Sequence, residues 1–150
     1  MCIRDSIKVF ENNDQKVVLA APTGRAAKRM SETSNKEAKT IHRLLEMGFG
    51  MDSDELTFMK NEEDPIDADV VILDEVSMVD IVLMYSLLRA IKSGTRLLIV
   101  GDSDQLPSVG AGNVLKDLID SEVINTVRLN EIFRQAQESM IVVNLSLIHI

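Results

Sequence analysis

Thiol and aromatic chemistry are almost missing from this chain: 150 residues hold one cysteine, Cys2, no tryptophan, one tyrosine and four phenylalanines. A single thiol excludes an internal disulfide and a thiolate-rich metal site, and two histidines, His42 and His149, leave little for zinc, so no structural metal is expected. The aromatics Phe10, Phe49, Phe58, Tyr85 and Phe133 are scattered and build no base-stacking platform, which argues against sequence-specific base reading. Long apolar runs are lacking too. Nothing approaches a membrane span, and no basic-then-apolar leader precedes a small-residue cleavage site, so a soluble, cytoplasmic protein without membrane association is expected. What remains is 45% apolar and 27% charged residues, enough for one domain with a core of its own.

The net charge of −8 is unevenly spread. From Arg25 to Arg43 six basic residues (Arg25, Lys28, Arg29, Lys36, Lys39, Arg43) face two acids, whereas from Glu46 to Asp69 nine acids face Lys60 alone. Those segments carry +4 and −8, so the acidic one equals the whole net charge and everything outside it, the basic segment included, sums to zero. Charge alone makes the basic segment a solvated amphipathic helix, although its position after Pro22-Thr23-Gly24 also suits phosphodiester oxygens.

Short apolar runs without alternation read as strands covered on both faces: Lys16–Ala21, Asp69–Asp74 and Arg96–Gly101, with Asn125–Leu129 as a fourth candidate. Helical stretches are expected at Arg25–Thr33, Thr40–Met47, Asp80–Ile91 and Asn113–Asp120, the third presenting Leu83, Leu87, Leu88 and Ile91 on one face. Strands alternating with helices imply a parallel sheet with right-handed crossovers. Met51–Asp67 reads as a solvated excursion. The terminal segments 1–6 and 145–150 resemble neither a capped element nor a functional tail and are set aside as non-native ends.

In such sheets ligands collect at the carboxyl ends of strands. Asp74-Glu75 ends a strand with two carboxylates pointing different ways, which suits magnesium holding by one and water activation by the other; helix capping explains the pair about as well. In Gly101-Asp-Ser-Asp-Gln-Leu-Pro-Ser-Val-Gly-Ala-Gly112, Gln105 can touch both a phosphate oxygen and a water, or serve as a turn amide. Gly110 and Gly112 allow close backbone approach before a helix whose N–H groups could face an anion, or act as plain turn residues. Arg134 alone suits a surface salt bridge, and His42 a packed core or surface histidine.

Taken in order, these segments resemble the RecD-like branch of superfamily 1 DNA helicases. Leu19-Ala-Ala-Pro-Thr-Gly-Arg-Ala-Ala-Lys-Arg-Met30 resembles motif Ia and Val71-Ile-Leu-Asp-Glu-Val-Ser-Met-Val-Asp80 motif II. Gly101–Gly110 resembles motif III and Leu129-Asn-Glu-Ile-Phe-Arg-Gln135 motif IV, while Asn61–Asp67 is similar to the loop before motif II. The resemblance implies an α/β, RecA-like P-loop NTPase sheet flanked by helices, using ATP and Mg²⁺ to move 5′ to 3′ on single-stranded DNA. It assigns Asp74 to magnesium, Glu75 to the hydrolytic water, Gln105 to γ-phosphate sensing and Arg134 to the arginine finger. Pro22, Thr23, Gly24 and Arg25, with Thr40 and His42, become DNA contacts, and recombination or repair subunits become partners.

One departure stands against this agreement. The phosphate-cradling run Gly-x-x-x-x-Gly-Lys-Ser/Thr occurs nowhere in the 150 residues. The expectation is therefore a partial first motor domain over 7–144, carrying motifs Ia to IV and truncated before the P-loop, with Ile7–Glu11 closing a helix. In isolation such a piece should be nearly inactive and poorly stable, because a missing strand exposes apolar area. The alternatives are a non-enzymatic nucleic-acid-binding or regulatory module that has lost its P-loop, and an ATPase acting on RNA.

Overall fold

The computed structural model describes residues 3–49 and 56–128. Helix α1 (Ile3–Glu11) leads through a turn into β1 (Val17–Ala21), α2 (Gly24–Ser34), β2 (Ala38–Thr40) and the single-turn α3 (Ile41–Leu44). A small hairpin of β3 (Met47–Phe49) and β4 (Leu56–Phe58) precedes β5 (Val70–Leu73), a 3-10 turn at Val76–Met78, α4 (Ile81–Arg89), β6 (Arg96–Ile99) and α5 (Val114–Asp120). Strands β2-β1-β5-β6, in that spatial order, form one wholly parallel sheet.

Alternation along the strands sorts the core into two faces. Val17, Leu19, Val70 and Ile72 pack with Ile7 of α1 and Met30 of α2. Ala20, Val71 and Leu73 point the other way, onto Ile41, Leu45, the α4 residues Leu83, Met84 and Leu87, and Leu115 of α5. Apolar runs without alternation are what a strand covered on both faces requires, so three of the four expected strands are found where expected. Helix starts follow local chemistry: the Thr23, Thr40 and Asp80 side chains accept the backbone N–H groups of Ala26, Arg43 and Leu83, at 3.2, 3.2 and 2.8 Å.

Four expectations are corrected. Asn125–Arg128 forms no strand: Val127 is 84% exposed and no ladder partner is present among the described residues, and a strand is stabilised by pairing rather than by its own residues. The helix expected over Thr40–Met47 shrinks to one turn, because Ala38–Thr40 pairs with β1 and Met47 pairs with Phe58. Met51–Asp67 is more than a solvated excursion, since it contains β4, and Ile66 is buried with its N–H donating to the Ala90 carbonyl at 2.7 Å. On α4 the buried stripe is Leu83, Met84 and Leu87, and Leu88 faces outward at 52% exposure, one residue step of about 100° off the stripe. Ile3–Ser6 form the first part of α1, with Ile3 packed against the core.

Among the described residues no helix is long and apolar enough to cross a membrane.

Candidate active site at the carboxyl edge of the sheet

Because all four strands run the same way, their carboxyl ends share one edge. The register places Thr40 opposite Ala21, Leu73 opposite Ala20 and Ile99 opposite Leu73. Reading across the edge, the segments leaving the strands are therefore Thr40–His42, Pro22–Arg25, Asp74-Glu75 and the loop from Gly101. The sheet brings nearly every described residue singled out in the sequence to one rim.

The Asp74 N–H still donates to the Ala20 carbonyl at 3.0 Å, and Asp74 Oδ1 accepts the Glu75 N–H at 3.0 Å. Glu75 then turns left-handed at φ 60°, ψ 37°, a conformation that costs a non-glycine residue about 1 kcal/mol or more and separates the two carboxylate directions. Val76 N–H donates across to the Val100 carbonyl at 3.1 Å, and Met78 N–H returns to the Glu75 carbonyl at 3.2 Å. Glu75 is not free: its Oε1 accepts from Arg29 Nη2 of α2 at 2.5 Å. The sequence placed Arg29 in the basic segment but gave no sign of this partner, 46 residues away; only its one-turn spacing from Arg25 on the same helix face hinted that it shares that rim.

The loop after β6 starts tightly and ends tightly. A Cβ on Gly101 would lie 2.8 Å from the Leu115 side chain and 3.2 Å from the Val76 nitrogen. At the far end a Cβ on Gly110 would come within 2.7 Å of Asp80 Cβ, Gly112 takes φ +93° beside Ile81, and Ile81 N–H donates to the Ala111 carbonyl at 3.0 Å. Through these contacts Gly110 and Gly112 clamp the loop onto the start of α4. Between the clamps the chain is exposed, and Gln105 Nε2 donates to Asp102 Oδ2 at 3.3 Å, so in this conformation Gln105 closes a turn.

A family model described as an AAA domain matches residues 1–111. The chain belongs to the AAA domain family. The chain is 44% identical over 126 residues to the ATP-dependent RecD2 DNA helicase of Deinococcus radiodurans, covering 84% of the chain but 16% of that protein. It is 39% identical over 121 residues to the RecBCD enzyme subunit RecD of Mycobacterium tuberculosis, covering 70% of the chain and 20% of that protein. The resemblance to RecD-like helicases is thus borne out, and the chain spans only a fifth or less of these relatives' length. A Pif1 helicase from Bacteroides matches in structure with a TM-score of 0.55 at 23% identity, over 90% of the chain and 37% of that one, which shows the RecA-like fold.

Within the AAA domain, the remaining predicted residues are placed as follows. Thr23 and Thr40 spend an acceptor lone pair on capping, which leaves each hydroxyl proton free to donate. Gly24 and Arg25 are exposed at the start of α2, beside half-buried Pro22. His42 lies tilted over Phe58, ring centroids 5.9 Å apart. Arg134, with motif IV, lies outside the described residues.

For a divalent cation the donors fit magnesium. Asp74 offers hard carboxylate oxygen at the strand end, and among the described residues no group of three or more His, Cys, Asp or Glu side chains forms a closed cage. Magnesium is held in nucleotide sites by one or two carboxylates together with substrate phosphates and water, and Asp74 is a carboxylate of that kind. Before β5 and along the α4 rim, ion pairs shift several titrations. Hydrogen bonding to Arg89 holds the Glu62 carboxyl below the usual range and raises Arg89, Lys16 lowers Asp67, and Asp64 raises Lys60.

Proposed function

We propose that this chain is the motif Ia to IV part, residues 7–144, of the first motor domain of a RecD-like ATP-dependent DNA helicase that moves 5′ to 3′ on single-stranded DNA. The observation that carries the reading is the shared carboxyl edge, where Asp74-Glu75 sits between the Pro22–Arg25 segment and the loop bearing Gln105. Bound ATP with Mg²⁺ would supply the phosphoanhydride whose cleavage drives movement, the ion neutralising charge on the phosphate oxygens. Asp74 would hold that ion, through water. Glu75 orients the attacking water and takes its proton, Gln105 reads the γ-phosphate with its amide, and Arg134 neutralises charge developing on the transferred group. Thr23, Gly24 and Arg25 at the start of α2, with Pro22, Thr40 and His42 beside them, carry strand phosphates by hydroxyl, backbone N–H and guanidinium donors. Recombination or repair subunits are the partners this reading implies, and the cytoplasm its location. The triphosphate's main anchor is not among these 150 residues, so the 150-residue chain alone should show little turnover.

In the complete protein Glu75→Gln should keep nucleotide affinity and lose turnover by about 10²–10⁴-fold, measured by fluorescent-nucleotide titration beside steady-state ATPase. Arg25→Ala should leave strand-free turnover intact and lower the salt slope of single-stranded DNA binding by about 1. Wild-type turnover in Glu75→Gln would sink the reading. An unchanged salt slope in Arg25→Ala would move the DNA track elsewhere, and stimulation by single-stranded RNA but not DNA would change the substrate.

A further inference from the structure

We propose that Arg29 is a positioning residue that holds Glu75 away from the hydrolytic water until a nucleic-acid strand takes its guanidinium; this rests on the reading of Glu75 given above. Of the carboxylates in ion pairs among the described residues, Glu75 is the least exposed, at 21% of its side chain, whereas Arg29 remains 56% exposed. One partner is sheltered at the site and the other stays open to solvent. The guanidinium carries five donors in a planar fork, so Arg29 has N–H groups left for a phosphate while it still holds Glu75 Oε1.

The position of Arg29 supplies the competitor. It lies one helical turn beyond Arg25, roughly 6 Å along the α2 axis, on the same face of a helix that begins at the strand-facing segment Pro22–Arg25. A phosphodiester chain engaged by Arg25 therefore runs within reach of Arg29. The direction in which Glu75 is drawn also matters. Helix α2 covers the face of the sheet that holds Val17, Leu19, Val70 and Ile72. The loop carrying Gln105 is clamped on the start of α4, which covers the opposite face. The ion pair thus turns the carboxylate toward α2 while its partner in hydrolysis is anchored on the other side. Hydrogen bonds at Asp74, Val76 and Met78 hold the backbone on both sides of Glu75, so release needs only a side-chain swing.

The test is steady-state ATPase of the complete protein with and without a single-stranded oligothymidylate, for wild type, Arg29→Gln, Arg29→Lys and Glu75→Gln. Arg29→Gln should raise the strand-free kcat about two- to fivefold, the range a part-exposed ion pair is worth, with KM for ATP unchanged. Stimulation by the oligonucleotide should shrink by the same factor, and Arg29→Lys, which keeps the charge, should restore the low strand-free rate. A half-exposed helix position tolerates glutamine without unfolding, which a melting curve checks. If Glu75→Gln is dead while Arg29→Gln matches wild type, or turns over more slowly without strand, this inference fails and the reading of Glu75 stands. If Glu75→Gln turns over normally, both fail.

Discussion

Strands β5 and β6 lie side by side, paired Val70 to Arg96 through Leu73 to Ile99, and read almost alike as Val-Val-Ile-Leu and Arg-Leu-Leu-Ile. Yet β5 is buried at all four positions, and β6 is exposed at its start and only half-buried beyond it. Composition does not separate them. Neighbours do: β5 has β1 on one side and β6 on the other, while among the described residues β6 pairs with β5 alone. The segments that follow inherit the difference. After β5, Asp74 and Val76 are held by main-chain bonds to the strands on either side. After β6 the chain is exposed from Gly101 to Pro107 before the clamp at Gly110 and Gly112. The backbone of Asp74-Glu75 is thus held after an interior strand, and the exposed loop bearing Gln105 follows the outer one.

The comparison breaks first in the core. Ile72 and Leu98 are direct partners in the ladder and touch the same cluster, so truncating each to alanine isolates the effect of burial. Ile72→Ala should cost about 2–5 kcal/mol in a urea titration, whereas Leu98→Ala should cost no more than about 2, since it leaves no closed cavity. Equal losses would mean that β6 is as covered as β5. The clamp comes next. Gly110→Ala would drive a Cβ into Asp80, the cap of α4, and should cost about 1–3 kcal/mol. Gly24→Ala, with nothing within 4 Å, should be neutral or slightly stabilising by the same melt.

The smallest effect lies at the opposite, amino-terminal edge of β5. There Asp67 accepts from Lys16 at 2.6 Å with Lys92 nearby at 3.7 Å, and Lys16 holds its carboxyl below the usual range. A folded-state value below the unfolded one means a contribution present above the unfolded carboxylate range and lost as pH falls through the folded value. Asp67→Asn should therefore lower the melting temperature slightly at neutral pH, and the gap to wild type should close on acidification. A gap that persists in acid would show that the pair is not its source.

Burial rules made three strands legible, because a run such as Val-Val-Ile-Leu can only be satisfied inside. Helices α2, α4 and α5 were legible for a related reason, their apolar spacing, and the structure adds Thr23 and Asp80 as the caps of two of them. The edge strand β2 and the β3–β4 hairpin escaped, since three-residue strands leave too short a pattern and exist by virtue of their partners. Asn125–Arg128 failed in the opposite sense, having a strand-like pattern and no partner among the described residues.

The same division runs through the site. Residue types and their order determined that carboxylates, a glutamine and a basic helix would stand after strands, because those positions follow from local chemistry and chain direction. Only the tertiary structure decided that Arg29 closes on Glu75 and that Gly110 meets Asp80, because both contacts join residues 30 or more positions apart through the packing of α2 and α4 on opposite faces of one sheet.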